Sequence, residues 1–462
     1  MALCGKGLRA EPRRPNILFI MVDQLRQPRW MPELRELPSI KRLREKGVEF
    51  TRNYCSAAPC SPSRACIMSG KHIPNHGVRD NVRTKRNRSL FPSTTTIGQV
   101  FQKLGYQTPY RGKWDLSHQD YLIENKLVEY GFEGWEPPDR WGKPFEGLIW
   151  DRQFAQEARE FLLGPESRKK PWLLTVSFIN PHDIMYAPNL DLPGALVPDV
   201  AELPPNFGDD LTGKPSAHEL FRQDWMQVMG KIGKEDIERA RHFMDFYYYL
   251  AEKVDAQIGK VLEALDESGQ AENTIVVFTS DHGEMACSHG IIGKGPFIYE
   301  ENVNVPLIVS WPGHYPEGAT TDAISSGVDL MPTLTAMTGA DTEKALPQTA
   351  GKDLLPVIKS PSTVSVREET HFAFIKRASE MDPLSDQVAG EHRVDVDIKA
   401  VFEKRWKFAI YDWKEAEAEA ELYDLDNDPL EMRNLAYDPA YQKIVKQLKE
   451  RLTNIENRET GL

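Results

Sequence analysis

The stretch "PNILFIMVD", Pro15 to Asp23, runs through six apolar residues in succession and ends on an acid. A strand with one wet face alternates apolar and polar residues. An unbroken run of this length predicts a strand buried on both faces, Asn16 to Val22, with Asp23 at its C-terminal end. "PWLLTVSFINPHD" (171–183) and "NTIVVFTSDHG" (273–283) repeat the design, and "VPLIVSWPG" (305–313) adds one more buried strand. "VEFTRNY" (48–54) and "YQTPYRG" (106–112) are further strand candidates.

Helical patterns separate these runs. "PSIKRLREKG" closes on Gly47, and "TTTIGQVFQKLG" closes on Gly105. The longest helix starts at Ile237, with apolar residues at Ala240, Phe243, Tyr247, Ala251, Val254, Ile258, Val261 and Leu265. Those steps of three and four make one buried stripe, ended by Gly269. Strands alternating with helices predict an α/β fold, a mainly parallel sheet flanked by helices. Ligands of such sheets bind beyond the carboxyl ends of the strands. Asp23, His182, Asp281 and His282 all fall there.

The texture changes near residue 340. "LPQTAGKDLLPVIKSPST" (346–363) reads as a linker. "RWKFAIYDW" and "AELYDLDNDPLEMRNLA" read as strands joined by a turn, "EAEAEAE" as a solvated acidic turn, and "QKIVKQLKERLTNIE" as an amphipathic terminal helix. The expected division is a catalytic domain over 1–345 and a smaller α+β domain over 346–462, with a small antiparallel sheet. Residues 187–216, rich in proline, read as a long surface loop bordering the site.

Composition narrows the class. The 462 residues carry 40% apolar and 27% charged side chains, as soluble globular proteins do. A net charge of −12 argues against nucleic-acid and anionic-membrane partners. The N-terminal residues lack the long apolar run and cleavage site of a signal peptide, and no stretch is long enough to span a bilayer, so the expected location is cytoplasmic. Five cysteines (Cys4, Cys55, Cys60, Cys66 and Cys287) are an odd number with no CxxC pair. They make neither a disulfide framework nor a zinc site. A homo-oligomer is compatible with all of this.

The strand-end residues carry chemistry. Asp23 and Asp281 offer carboxylates, Gln24 an amide oxygen and His282 an imidazole. That set suits a hard divalent cation, Ca²⁺, Mg²⁺ or Mn²⁺, and the imidazole keeps manganese or zinc open. "CSPSRACIMSGK" (60–71) runs from a turn into a short helix, with Pro62 in its first turn. Cys60 then sits at a helix N-terminus that favours anions, and Arg64 one turn on adds a planar cation. A thiolate nucleophile is one reading. A hard cation is a poor partner for thiolate, however, which suggests a cysteine altered in the working protein.

"CSPSR" resembles the sulfatase signature C-x-P-x-R, whose cysteine a formylglycine-generating enzyme converts to Cα-formylglycine. "PNILFIMVDQ", "GKWDLS", "NPHD", "SDHGEMACSHGIIGK", "YEENVNVPLIV", "VDLMPTLTAMTG" and "ELYDLDNDPLEMRNLA" resemble sulfatase segments in the family's order. The resemblance covers nearly the whole chain. It implies the alkaline-phosphatase-like fold, a sulfuric ester hydrolase activity on a small-molecule sulfate ester, and one divalent cation, Ca²⁺ first and Mn²⁺ or Mg²⁺ next. Carried over, Cys60 is the formylglycine precursor. Asp23, Gln24, Asp281 and His282 are metal ligands, which Cys60 completes once converted. Arg64, Lys113, His182 and Lys294 surround the sulfate and the leaving oxygen.

The resemblance also implies the course of reaction. One hydroxyl of the formylglycine hydrate attacks sulfur, His182 or Lys294 protonates the departing alkoxide, and the second hydroxyl, losing its proton, expels sulfate.

Three positions depart from the common pattern. Gln24 and His282 resemble the phosphonate monoester hydrolase branch, and His282 also choline sulfatases. Asp115 replaces a histidine that usually touches the sulfate, so it is expected either to bind a cationic group or to turn away. His118 is a candidate for the missing imidazole. His289 is a candidate substrate-binding residue, and His72 and His76 are expected to be structural. The competing functions are a phosphonate monoester or phosphodiester hydrolase and, from another class, a non-catalytic anion-binding protein of the same fold.

Overall fold

The computed structural model describes residues 14–28, 37–82, 87–189, 201–229, 232, 236–346, 348–362, 364–375, 396–413 and 416–460. Cys4, most of the N-terminal segment and residues 190–200 of the proline-rich stretch lie outside them.

Among the described residues, thirteen strands form three sheets. They are β1 (Asn16–Asp23), β2 (Gly47–Phe50), β3 (Asn53–Tyr54), β4 (Tyr110–Gly112), β5 (Leu173–Pro181), β6 (Thr274–Ser280), β7 (Leu307–Ser310), β8 (Ala319–Thr321), β9 (Ser325–Ser326), β10 (Glu369–Ile375), β11 (Val396–Glu403), β12 (Trp406–Trp413) and β13 (Glu419–Asp424). The main sheet has the order β4-β5-β1-β6-β7-β2-β8. Its β4, β5, β1 and β6 run parallel, and β7 runs antiparallel to both β6 and β2. The small sheet β3-β9 is parallel, and β10-β11-β12-β13 is antiparallel throughout.

All eight residues of β1 are buried. Successive side chains point to opposite faces of a sheet. Ile17, Phe19 and Met21 therefore enter one core with Ile275, Val277, Leu307 and Val309. Leu18, Ile20 and Val22 enter the other with Val276, Phe278 and Ile308. The continuous apolar run is the mark of a strand that must satisfy two cores at once. The helix Ile237–Glu267 buries the whole expected stripe, from Ala240 to Leu265. Its C-terminal half closes the second core against the sheet.

Several local expectations change. "VEFTRNY" divides into β2 and β3, with a bend at Thr51 and Arg52. Within "YQTPYRG" only Tyr110–Gly112 extends the sheet. The linker-like stretch is packed. Leu346, Leu354, Val357 and Ile358 are buried in the core that holds Phe19. Asp329 accepts from the Lys352 N–H at 2.7 Å and Thr333 from the Leu354 N–H at 2.9 Å, so that backbone is tied down by residues at and just before the helix Leu330–Met337.

The acidic run is not simply a solvated turn either. β13 begins at Glu419, and its alternation turns Glu421 inward, fully buried. Glu421 accepts from the hydroxyls of Tyr411, at 2.5 Å, and Tyr423, at 2.7 Å. The C-terminal sheet shares a core with Tyr54, Ala58 and the 297–303 segment. The terminal helix Gln442–Thr460 lies over its far face through Leu448, Leu452 and Ile455.

Candidate active site

Five segments converge where the parallel strands end. β1 delivers Asp23, and the chain turns at Gln24 with φ 70°, so the amide side chain leaves the strand sharply. β6 delivers Asp281 and His282. β4 delivers Lys113, and β5 delivers His182. The helix Cys60–Ser69 starts at Cys60 after Pro59, as Pro62 predicts, and is buried along its length. The Ser61 N–H in its first turn is already taken by Asn81 at 3.1 Å.

Arg64 anchors the centre. Its Nε donates to Asp281 Oδ2 at 2.8 Å and its Nη2 to Asp23 Oδ2 at 3.1 Å, while Nη1 reaches Ser177 Oγ at 2.9 Å and the Lys113 carbonyl at 3.0 Å. Lys113 Nζ stands 2.6 Å from Asp23 Oδ2. Each carboxylate thus spends one oxygen on cations. The other, Oδ1, lies 3.7 Å from His282 Nε2 in both aspartates. Cys60 Sγ closes the group, 3.1 Å from His282 Nε2, 3.6 Å from Asp23 Oδ1 and 3.2 Å from Lys294 Nζ. Lys294 also donates to Gln24 Oε1 at 2.6 Å.

The donor set fits a hard divalent cation. One ligand atom from each of Asp23, Cys60, Asp281 and His282 lies within 4.8 Å of the others, and all four residues are buried. Carboxylate oxygens and an imidazole suit such an ion; a thiol does not.

Electrostatics sharpen the contrast. Burial pushes the Asp23 carboxyl up, but Lys113, His182, Arg64 and Lys294 outweigh it and hold Asp23 well below the usual range. Burial and Asp23 raise the Cys60 thiol, and Lys113, Lys294 and His282 overcome them, so it lies below an ordinary cysteine. Cys55 and Cys287 have burial and a neighbouring carboxylate against them, and both are pushed up. Cys60 alone among these three is placed for chemistry.

His182 opens the short helical segment after β5 and packs against Gly142 (φ 103°). A Cβ on Gly142 would lie 2.5 Å from His182 Nδ1. Asp115 does not turn to solvent: its buried carboxylate lies 3.5 Å from Lys113 Nζ. Its backbone takes φ 59°, and Asp139 accepts from the N–H groups of Trp114, at 3.0 Å, and Asp115, at 2.6 Å. His118 caps the next helix, half-buried, with its N–H on Ser89. His72 packs edge-on against His371, and His76 Nε2 lies 3.4 Å from Cys66 Sγ.

His289 belongs to a second cluster. Its Nδ1 is 2.6 Å from Asp209 Oδ2 and 3.2 Å from Lys214 Nζ, Asn206 meets its Nε2 at 3.1 Å, and Tyr299 stacks on its ring.

Sequence reasoning missed four supporting residues: Ser177, Asp139, Gly142 and Glu284. Glu284 had a signal, since it directly follows the Asp-His-Gly run. The others act through folded proximity alone.

With this geometry in place, the class is clear. The fold is that of an alkaline-phosphatase-superfamily hydrolase. Residues 15–340 match the sulfatase family, and residues 287–458 match the family described as N-sulphoglucosamine sulphohydrolase, C-terminal. The chain belongs to the sulfatase family. It is 28% identical to the uncharacterized sulfatase YidJ of Escherichia coli (strain K12), over 95% of this chain and 86% of that one. It is 27% identical to a choline-sulfatase of Rhizobium meliloti (strain 1021), over 92% and 83%. Among solved structures, the phosphonate monoester hydrolase of Agrobacterium radiobacter shares the fold, with a TM-score of 0.72 and 22% identity over 96% of each chain.

Proposed function

We propose that the protein hydrolyses a sulfate monoester to an alcohol and sulfate, with formylglycine made from Cys60 by a formylglycine-generating enzyme as its nucleophilic group. The observation that carries this is the setting of Cys60: a buried thiol at the start of a helix, among Asp23, Asp281 and His282 and against Lys294. A bound divalent cation, Ca²⁺ being the best match to the oxygen-rich set, would supply Lewis-acid stabilisation of negative charge there. Asp23, Asp281, His282 and the Gln24 oxygen would hold it.

The chain's own residues account for the rest. Arg64 keeps both carboxylates aimed, because each gives it one oxygen; the backbone N–H groups of Gln24 and His282 fix the other oxygen of Asp281. Lys113 and Lys294 bring fixed positive charge to the nonbridging oxygens of the ester. His182 or Lys294 hands a proton to the departing alkoxide. The site is buried, so these charges act with little screening by water.

The second reading, a phosphonate monoester or phosphodiester hydrolase, is favoured by Gln24 and His282 and by the shared fold. Steady-state kinetics with 4-nitrophenyl sulfate and a matched aryl phosphonate monoester separate the two. The expected result is a higher kcat/KM for the sulfate. A clear preference for the phosphonate would move the assignment, and stoichiometric anion binding without turnover would support a binding protein.

A further inference from the structure

Gln24 is an unusual ligand to leave at a catalytic centre. An amide has two ends, one accepting and one donating, and nothing in its own shape decides which faces the chemistry. Here Gln24 Oε1 accepts from Lys294 Nζ at 2.6 Å, and Nε2 donates to Glu284 Oε2. The backbone of Gln24 is held independently: its N–H donates to Asp281 Oδ1 at 3.1 Å and its carbonyl accepts from Tyr247 at 2.8 Å.

Glu284 is fully buried, and among the described residues no lysine, arginine or histidine forms an ion pair with it. Its Oε1 accepts from the N–H groups of Ala286, at 3.1 Å, and Gly293, at 2.5 Å. Those two bonds close the loop between Asp281 and Lys294, which a backbone bond from Met285 N–H to the Gly293 carbonyl, at 2.9 Å, also ties. Gly293 directly precedes Lys294. One carboxylate therefore sets two things: the polarity of the Gln24 amide, through Oε2, and the placement of Lys294, through Oε1.

We infer that Glu284 is a positioning residue that fixes Gln24 with its oxygen toward the cation-binding centre. The inference rests on the reading of Gln24 and Lys294 as site residues, and names what orients them. Only a carboxylate can do this. All three of its neighbours are donors, and a glutamine at 284 would have to point its NH₂ either at the two backbone N–H groups or at Gln24. In the second case Gln24 turns over and presents NH₂ to Lys294, donor against donor.

The test is a two-residue cycle on the full chain, read by Ca²⁺ affinity in chelator competition and by kcat and KM for 4-nitrophenyl sulfate, with melting temperature alongside. Glu284→Gln is expected to weaken Ca²⁺ binding by about tenfold or more, as loss of groups behind metal ligands generally does, and to lower kcat more than it raises KM. Gln24→Glu alone sets two carboxylates face to face and is expected to be impaired as well. The double variant, Gln24→Glu with Glu284→Gln, reverses the donor and acceptor of their shared bond and keeps a carboxylate oxygen toward Lys294. It is expected to recover most of the Ca²⁺ affinity that either single change loses.

Wild-type Ca²⁺ affinity in Glu284→Gln would overturn the inference. So would a folded double variant no better than the singles, or a double variant that fails to fold. If Glu284→Gln itself does not fold, the double variant decides alone. Failure of the sulfatase reading would look different: no turnover of the sulfate ester by wild type, with the Ca²⁺ cycle intact.

Discussion

Two buried clusters in this molecule are built from nearly the same residue types. One joins Cys60, Asp23, Asp281, His282, Lys113 and Lys294; the other joins His289, Asp209, Lys214, Asn206 and Glu301. Both bury histidine, aspartate and lysine together. They differ in how the charges close. In the second, Lys214 pairs with Asp209 and also donates to the Glu431 carbonyl at 2.8 Å, while Tyr299 covers the imidazole. Burial pushes the His289 imidazole down further than Asp209 and Glu301 raise it. In the first, each aspartate gives one oxygen to Arg64 and turns the other toward the His282 imidazole, with the Cys60 thiol 3.6 Å from Asp23 Oδ1. A cluster whose histidine, aspartate and lysine are paired with one another holds a fold together. A cluster that keeps oxygens and a thiol facing one another has chemistry left to do.

Removing what the first cluster is built to hold should have the largest effect. Exhaustive chelation is expected to abolish turnover, and Asp281→Ala to reproduce the loss at any added metal concentration. Full activity in metal-free protein, checked by elemental analysis, would break the comparison at once. Cys60→Ser comes next. A serine alcohol can attack once but has no second hydroxyl with which to expel sulfate, so turnover should fall by roughly a thousandfold or more, with a covalent ester trapped on the protein. Cys55→Ser, Cys66→Ser and Cys287→Ser should keep most of the activity, since Cys60 is the cysteine grouped with Asp23, Asp281 and His282.

Smaller effects sharpen the boundary. Gly142→Ala places a methyl group against His182 and forces an alanine to φ 103°. A displaced proton donor should lower kcat by about tenfold to a hundredfold, most for esters of poor leaving groups. If esters of good and poor leaving groups suffer alike, His182 is not the donor. The smallest effect on turnover belongs to the second cluster. His289→Gln should lower the melting temperature, because it leaves Asp209 and Lys214 without their buried partner, and should hold kcat/KM near wild type. A large loss of kcat/KM at unchanged stability would move His289 into the active site.

Much of this was legible before any coordinates. β1 and β6 announce themselves because a strand between two cores carries a near-continuous apolar run, and the acids at or just past their ends mark the edge where ligands bind. What stayed hidden depends on partners that only the fold brings together. The 346–363 stretch looks like a linker until Asp329 and Thr333 bond its backbone. Glu421 looks like one more solvated acid until two tyrosine hydroxyls meet it inside the sheet. Asp139 leaves no trace in a pattern, yet it holds the Lys113–Asp115 corner through two backbone N–H groups. The strand in "AELYDLDNDPLEMRNLA" is readable, but the acidic composition of "EAEAEAE" hides that it begins at Glu419.

The account turns on the chemical state of residue 60. Peptide mass spectrometry of the segment spanning Pro59 to Ala65, taken from protein whose turnover has just been measured, tests this most directly. Conversion of the thiol-bearing side chain to an aldehyde lowers the peptide mass by about 18 Da, and that shifted peptide is the predicted result, in proportion to specific activity. An unmodified Cys60 peptide at full occupancy in protein that turns over normally would contradict the account and leave the lowered thiol of Cys60 as the nucleophile.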